Sequence, residues 1–146
     1  MGNDNKNTKK EIDIEKVASY WIESSDNDFK TMNNLFRSKD YHWSLFMGHL
    51  VIEKLLKAYY VKSLNKYPPF IHDLRRIAEE ANLTLNEDQI IFFDTVTRFN
   101  IKARYEDYKL EFYKKCTKEF AKKWIDKIKE YRKWIRATLL KLQDSI

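Results

Sequence analysis

The sequence predicts an all-α protein, an antiparallel up-and-down four-helix-type bundle with one additional short helix. Glycine and proline number only two each among 146 residues, whereas a sheet protein needs many tight turns built from these residues. Apolar residues recur at spacings of three and four along several segments, which is the period of an amphipathic helix. We expect a disordered lead-in over residues 1–12 and a single helical domain over residues 13–146.

The first two predicted helices flank a short polar break at residues 37–40. Asp13 can cap the start of the first helix. Its apolar positions are Val17, Tyr20, Trp21, Phe29, Met32, Leu35 and Phe36. The second helix runs from about Tyr41 to Leu64 and has a wide apolar face, so it should be the most buried element.

The later helices are separated by proline and by weak periodicity. A residue that precedes proline avoids the α region, so the second helix must end before Pro68. Apolar periodicity is weak over residues 100–110, where we expect a loop or bend. The predicted helices are residues 72–81 for the third, 86–99 for the fourth and 117–142 for the last.

Net charge is +6, and the excess lies in the last predicted helix. From residue 114 onward the chain has eleven Lys and Arg against four Asp and Glu. Such a basic stripe can attract nucleic acid or an acidic partner. Exposed helix faces are often charged without binding anything, so a purely solvated face is the other interpretation.

The cysteine count and the hydropathy pattern suggest a cytoplasmic protein. Cys116 is the only cysteine, which excludes an intrachain disulfide and a cysteine-based zinc site and is typical of a reducing compartment. The first residues carry no apolar segment of the kind found in signal peptides. No apolar run approaches the ~20 residues of a membrane span, so we expect no membrane association.

A polar stripe crosses the most apolar predicted helix. His49, Glu53 and Lys57 are four residues apart and therefore share one face. Buried charges are costly unless they are paired. Glu53 and Lys57 therefore either pair with groups on neighbouring helices or across a dimer, or form a polar pocket inside the bundle. The chain has three histidines in all, and no convergent set of ligands predicts a metal site or a cofactor.

Two further segments combine charge with special backbone positions. His72 and Asp73 follow the prolines and can cap the third helix, or they can mark an anion site at its N-terminus. In the stretch RFNIKARYEDY, residues 98–108, Arg104 and Tyr105 stand together. Arginine can clamp a phosphate or carboxylate bidentately. Alternatively, Arg104 holds the loop to the bundle by a salt bridge, for example to Glu53.

Three segments follow one another along the chain in the order VIEKLLKAYY, PPFIHDLRRI and ARYEDY. Together they resemble the HEPN domain family of prokaryotes. The first is similar to the family's Glu-Lys helix, the second to its Pro-Pro…His-Asp-Leu turn, and the third to its Arg-Tyr segment. The resemblance covers about Tyr20 to Leu142. It implies an all-α bundle, usually dimeric. It also implies a neighbour, because such proteins are often encoded beside a minimal nucleotidyltransferase in a toxin–antitoxin or nucleotide-handling pair.

The resemblance also implies where a site would lie. By position, the family's recurrent polar residues fall on Glu53, Lys57, His72, Asp73, Arg104 and Tyr105. Where the family pattern has proline after Arg-Tyr, this chain has Glu106.

The chain lacks the ribonuclease motif of the wider superfamily at the position where that motif is expected. Those members carry Arg, four to six residues and then His late in the chain, but no histidine follows His72 here. The one literal match, from Arg37 to His42, falls in the first interhelical turn. Ribonuclease activity is therefore not expected.

Three functions follow from these observations. The first is a non-catalytic module, lined by the six recurrent residues, that binds a nucleotide, RNA or a nucleotidyltransferase partner. The second is an endoribonuclease with an atypical set such as His72 or His49 with Arg104. The third is a purely structural dimerising protein, since four Trp and nine Tyr leave aromatic rings exposed for interfaces.

Overall fold

The computed structural model describes residues 12–144, so residues 1–11 of the predicted lead-in lie outside the described residues. Residues 12–144 form six helices and no strand, which confirms the all-α prediction. The helices are α1 Ile14–Arg37, α2 Tyr41–Leu64, α3 Leu74–Glu80, α4 Glu87–Arg104, α5 Glu106–Lys115 and α6 Lys118–Asp144.

The central element is α2, as its apolar face predicted. It packs against α1, α6, α4 and α3, and fifteen of its residues are buried. A helix surrounded on most sides needs apolar residues all round, which is why α2 lacks a polar face of ordinary width. Even so, no helix within residues 12–144 is both long and apolar enough to cross a bilayer.

Close contacts fix α1 and α6 on either side of α2. A Cβ atom at Gly48 would lie 2.6 Å from Ile128 Cδ1, so the missing side chain lets α6 approach the α2 backbone. Two buried hydroxyls join α1 to α2. Ser25 Oγ donates to the Val51 carbonyl at 2.8 Å, and Ser44 Oγ donates to the Met32 carbonyl at 2.8 Å.

Helix ends follow the capping residues in the sequence. Asp13 accepts a hydrogen bond from the Lys16 amide and caps α1. Asn65 adopts the left-handed conformation, with φ of 59°, and ends α2, a role that asparagine tolerates better than most residues. Because α2 ends at Leu64, the prediction that it stops before Pro68 is confirmed.

The predicted loop at residues 100–110 is wrong. Helix α4 continues to Arg104, and α5 begins at Glu106. Two features hid these helices. Asn100 is a buried polar residue in the last turns of α4, and α5 buries only Phe112. The third helix also begins later than predicted, at Leu74 rather than His72.

Helix α6 uses part of its positive charge to hold α1. Arg132 and Arg136 both donate to Asp26 Oδ1 of α1, at 3.1 and 2.9 Å. The Arg132 guanidinium also lies 3.9 Å from the centre of the Phe29 ring. These two arginines therefore have a structural role, and the free positive charge of α6 comes from its exposed lysines.

Candidate functional site

Glu53 is the centre of a buried polar network that starts on α2. Its Oε1 lies 2.7 Å from His72 Nδ1, and its Oε2 accepts from Lys57 Nζ at 3.1 Å. Glu53 is 4% exposed and Lys57 5% exposed, so each charge depends on the other for compensation. Glu53 thus pairs with Lys57 within α2 and with His72 in the loop before α3.

The imidazole of His49 extends this network to α4. Its Nε2 lies 2.9 Å from the His72 carbonyl oxygen. Because a carbonyl only accepts, Nε2 carries the proton and donates. Asn100 Nδ2 then donates to His49 Nδ1 at 3.2 Å. Burial lowers the pKa of His49, more strongly than the Glu53 carboxylate raises it, so the ring is neutral at pH 7.

A neutral buried His49 makes stability depend on pH. The unfolded ring titrates near its ordinary pKa of 6.5, and the folded ring below it. Unfolded chains therefore bind more protons between the two values, and stability falls as the pH drops below about 6.5, by at most about 1.4 kcal/mol per pH unit. Urea unfolding measured from about pH 5.5 to 7.5 tests this expectation.

The matched variants for this pH series are His49→Gln and His42→Gln. Burial also lowers the pKa of His42. Each substitution should therefore reduce the slope of unfolding free energy against pH. An identical slope in the wild type and in His49→Gln would show that His49 does not titrate as described.

His72 lies outside α3, and the backbone amides in the first turn of α3 donate to other residues. Asp73 caps the helix by accepting from the Arg76 amide at 3.2 Å. The Leu74 amide donates to Thr97 Oγ1 at 3.1 Å. Capping by Asp73 therefore agrees with the predicted cap. The His72 side chain is 62% exposed, and its Nε2 has no hydrogen-bond partner within the described part of the chain.

Arg104 ends α4 beside the network but makes no ion pair among residues 12–144. Its Nε donates to the Asn100 carbonyl at 3.2 Å. Its guanidinium lies 5.8 Å from the ring centre of Phe46 and 5.6 Å from that of Tyr105. The predicted salt bridge from Arg104 to Glu53 is not formed, because Glu53 is already held by His72 and Lys57.

The network brings together residues that are far apart in sequence. His72 and Arg104 both lie close enough to His49 for their charges to lower its pKa. Sequence reasoning missed Asn100, which joins His49 to the backbone that holds Arg104. It also missed Trp21 as a partner of Lys57, whose Nζ lies 5.2 Å from the ring centre. The one sign of this role in the sequence was the spacing, since Asn100 lies four residues before Arg104.

Other reactive side chains do not assemble a second centre. Arg37 hydrogen-bonds the Asn34 side chain, and His42 packs against the Tyr113 ring at 5.1 Å, so the literal Arg…His match is used in structural contacts. Burial raises the pKa of Cys116 to about 12, which keeps the thiol protonated. Residues 12–144 contain no group of three or more His, Cys, Asp or Glu suited to a metal.

A model of the HEPN domain family matches residues 18–138. The chain belongs to the HEPN domain family. This match confirms the family predicted from the three segments. No curated protein and no solved structure gave a significant match.

In this HEPN domain the polar network joins all three family-like segments. VIEKLLKAYY supplies Glu53 and Lys57, PPFIHDLRRI supplies His72, and ARYEDY supplies Arg104. The carboxylate of Glu53 binds the first two segments directly. His49 and Asn100 connect this pair to the third segment. The HEPN fold thus brings the three motifs together where the middle of α2, the end of α4 and the loop before α3 meet.

Proposed function

We propose that this HEPN protein is a non-catalytic module that binds the phosphates of a nucleotide at His72 and Arg104. The observation that carries the proposal is an exposed imidazole and an exposed guanidinium at the edge of one buried network, neither held by a surface carboxylate. Glu53, which is itself paired with Lys57, holds the Nδ1 atom of His72, and Asp73 caps the turn that follows His72. Tyr105 and Phe46 orient the Arg104 guanidinium.

Phosphate is the chemistry that suits this pair. A guanidinium binds phosphate oxygens with two parallel N–H donors, and such charge-assisted bonds are stronger than neutral ones. Arg104 uses Nε for the Asn100 carbonyl, and its two terminal nitrogens have no hydrogen-bond partner in residues 12–144. In this proposal His72 Nε2 supplies a further contact to the phosphates of the same nucleotide.

The test is a calorimetric titration with ATP, GTP and a short RNA. Arg104→Ala should weaken binding by about 10- to 150-fold, since a hydrogen bond to a charged group contributes about 1.5–3 kcal/mol. Arg98→Ala is the matched control, because Arg98 is exposed on the same helix and has no ion pair in the described range. Equal affinity of the two variants, or no binding by the wild type, would overturn the proposal.

The assembly part of the proposal rests on the family resemblance. It describes a cytoplasmic homodimer of a single domain, residues 13–146, that binds a minimal nucleotidyltransferase in a toxin–antitoxin type pair. Light scattering of the pure protein tests the dimer, and co-purification with such a partner tests the pair. A monomer that binds nucleotide but no partner would restrict the function to ligand binding.

A second candidate function is supported by the Glu53–His72 contact. A carboxylate that orients an imidazole is the arrangement used in general acid–base catalysis, and here the other ring nitrogen, Nε2, is free in the described structure. An endoribonuclease would cleave labelled RNA and lose that activity in His72→Gln. Absence of cleavage together with nucleotide binding would favour the non-catalytic module, and absence of both would favour a purely structural dimerising protein.

A further inference from the structure

A large groove is lined in part by Lys57, the buried partner of Glu53. It has a volume of about 740 Å³, and its walls come from the start of α1 and the loop after α2. This size falls within the range of about 300–1,000 Å³ typical of small-molecule sites. We call it the aromatic groove, and the residues that define it are Lys16, Tyr20, Trp21, Lys57, Tyr67 and Phe70.

Three of the four aromatic rings that line the groove are mostly exposed, whereas Trp21 packs against the core and contacts the Tyr20 ring. Phe70 is fully exposed, and Tyr20 and Tyr67 are more than half exposed. Neither Phe70 nor Tyr67 contacts another ring in the described structure. Pro68 and Pro69 precede Phe70 and restrict the backbone that carries it. Exposed apolar rings held on a restricted loop provide free faces on which a planar group can stack.

Among the charged residues that line the groove, Lys16 is the exposed cation. Lys57 also lines it, with Nζ 5.2 Å from the centre of the Trp21 ring, but its charge is compensated by Glu53. The one acid in the lining, Asp13, accepts a hydrogen bond from the Lys16 amide as the α1 cap. Aromatic faces beside the exposed Lys16 ammonium suit an aromatic ring that is attached to a negatively charged group.

One carboxylate connects the groove to the phosphate-binding residues. Glu53 Oε2 accepts from Lys57 Nζ on the groove side, and Glu53 Oε1 lies 2.7 Å from His72 Nδ1 on the other. Phe70 precedes His72 by two residues along the chain. A ligand with a planar ring and a phosphate group could therefore contact Phe70 and His72 together.

We propose that the aromatic groove binds the base of the nucleotide whose phosphates bind at His72 and Arg104. The inference rests on the proposed function and adds a stacking site for the base. Stacking accepts any base, so the groove should show little preference between ATP and GTP.

The test compares three probes on the full chain by calorimetry: ATP, adenosine and inorganic tripolyphosphate. Phe70→Ala should weaken ATP and adenosine by about 5- to 150-fold, the usual loss when a stacking ring is removed, and should leave tripolyphosphate unchanged. Arg104→Ala should weaken ATP and tripolyphosphate but not adenosine. Tyr108→Ala, another exposed ring, lies outside the groove and should change none of the three.

The two proposals fail in different ways. If Phe70→Ala binds ATP and adenosine as tightly as the wild type, the base site is overturned, while tripolyphosphate binding lost in Arg104→Ala still supports the phosphate site. If adenosine binds and is lost in Phe70→Ala while tripolyphosphate does not bind, the groove stands and the phosphate site fails. If Phe70→Ala instead abolishes binding of a protein partner and leaves every nucleotide probe unaffected, the groove is a protein interface and the inference is wrong.

Discussion

Glu53→Ala is expected to lower the free energy of unfolding by about 3–5 kcal/mol, because it leaves the buried Lys57 ammonium without its carboxylate. Lys57 is 5% exposed, and its one carboxylate partner among residues 12–144 is Glu53, at 3.1 Å. The same change removes the group that holds His72. Urea denaturation at pH 7 measures the loss.

Glu79→Ala is the matched control for this substitution. Glu79 pairs with Arg75 at the same four-residue spacing and at 2.9 Å, but both side chains are well exposed. Exposed pairs contribute about 0–1 kcal/mol, so this variant should be almost as stable as the wild type. A double variant, Glu53→Met with Lys57→Met, should recover most of the loss. Equal stability of Glu53→Ala and Glu79→Ala would show that the buried pair does not matter.

Phe93→Ala is expected to cost about 3–5 kcal/mol, the usual range for a large aromatic residue removed from a core. The Phe93 ring is fully buried and lies edge-on to Tyr131, with centroids 5.9 Å apart. It also contacts Trp134, so it holds α4 on α6. Thermal and urea unfolding both measure the change.

Ile91→Ala is the comparison for Phe93→Ala, since Ile91 lies two residues away on α4 and is 57% exposed. Its loss should change stability by less than about 0.5 kcal/mol. Because α4 also carries Asn100 and Arg104, a Phe93→Ala protein that remains folded should bind nucleotide less tightly. A loss below about 1.5 kcal/mol for Phe93→Ala would mean that the core closes around the missing ring.

The helices that could be predicted well from the sequence have an apolar stripe or a definite end. Helix α2 could be placed because its apolar residues and Pro68 together fixed its length. The end of α4 and all of α5 could not be placed. Ile101 and Leu110 are apolar but exposed, and Asn100 is polar but buried, so the expected relation between polarity and burial is reversed there.

The sequence predicted one polar face of the network, but not its contacts or the part that Asn100 plays in it. The spacing of His49, Glu53 and Lys57 placed one polar face on a buried helix, and the structure agrees. No local pattern indicated that His72, across a loop, would contact Glu53. Such a pair depends on how α3 and α4 dock on α2, which is a tertiary property that short-range spacing does not contain.

Helix α5 buries few side chains and is therefore a segment of low local stability. Only Phe112 of this helix is buried, where it contacts the Phe99 ring at 5.5 Å. Segments with few buried contacts open at a free energy well below that of global unfolding. Helix α5 can therefore detach as a separate unfolding unit while the Glu53 network stays intact. Because α5 begins directly after Tyr105, whose ring lies 5.6 Å from the Arg104 guanidinium, such opening should loosen the proposed phosphate contact at Arg104 before it affects His72.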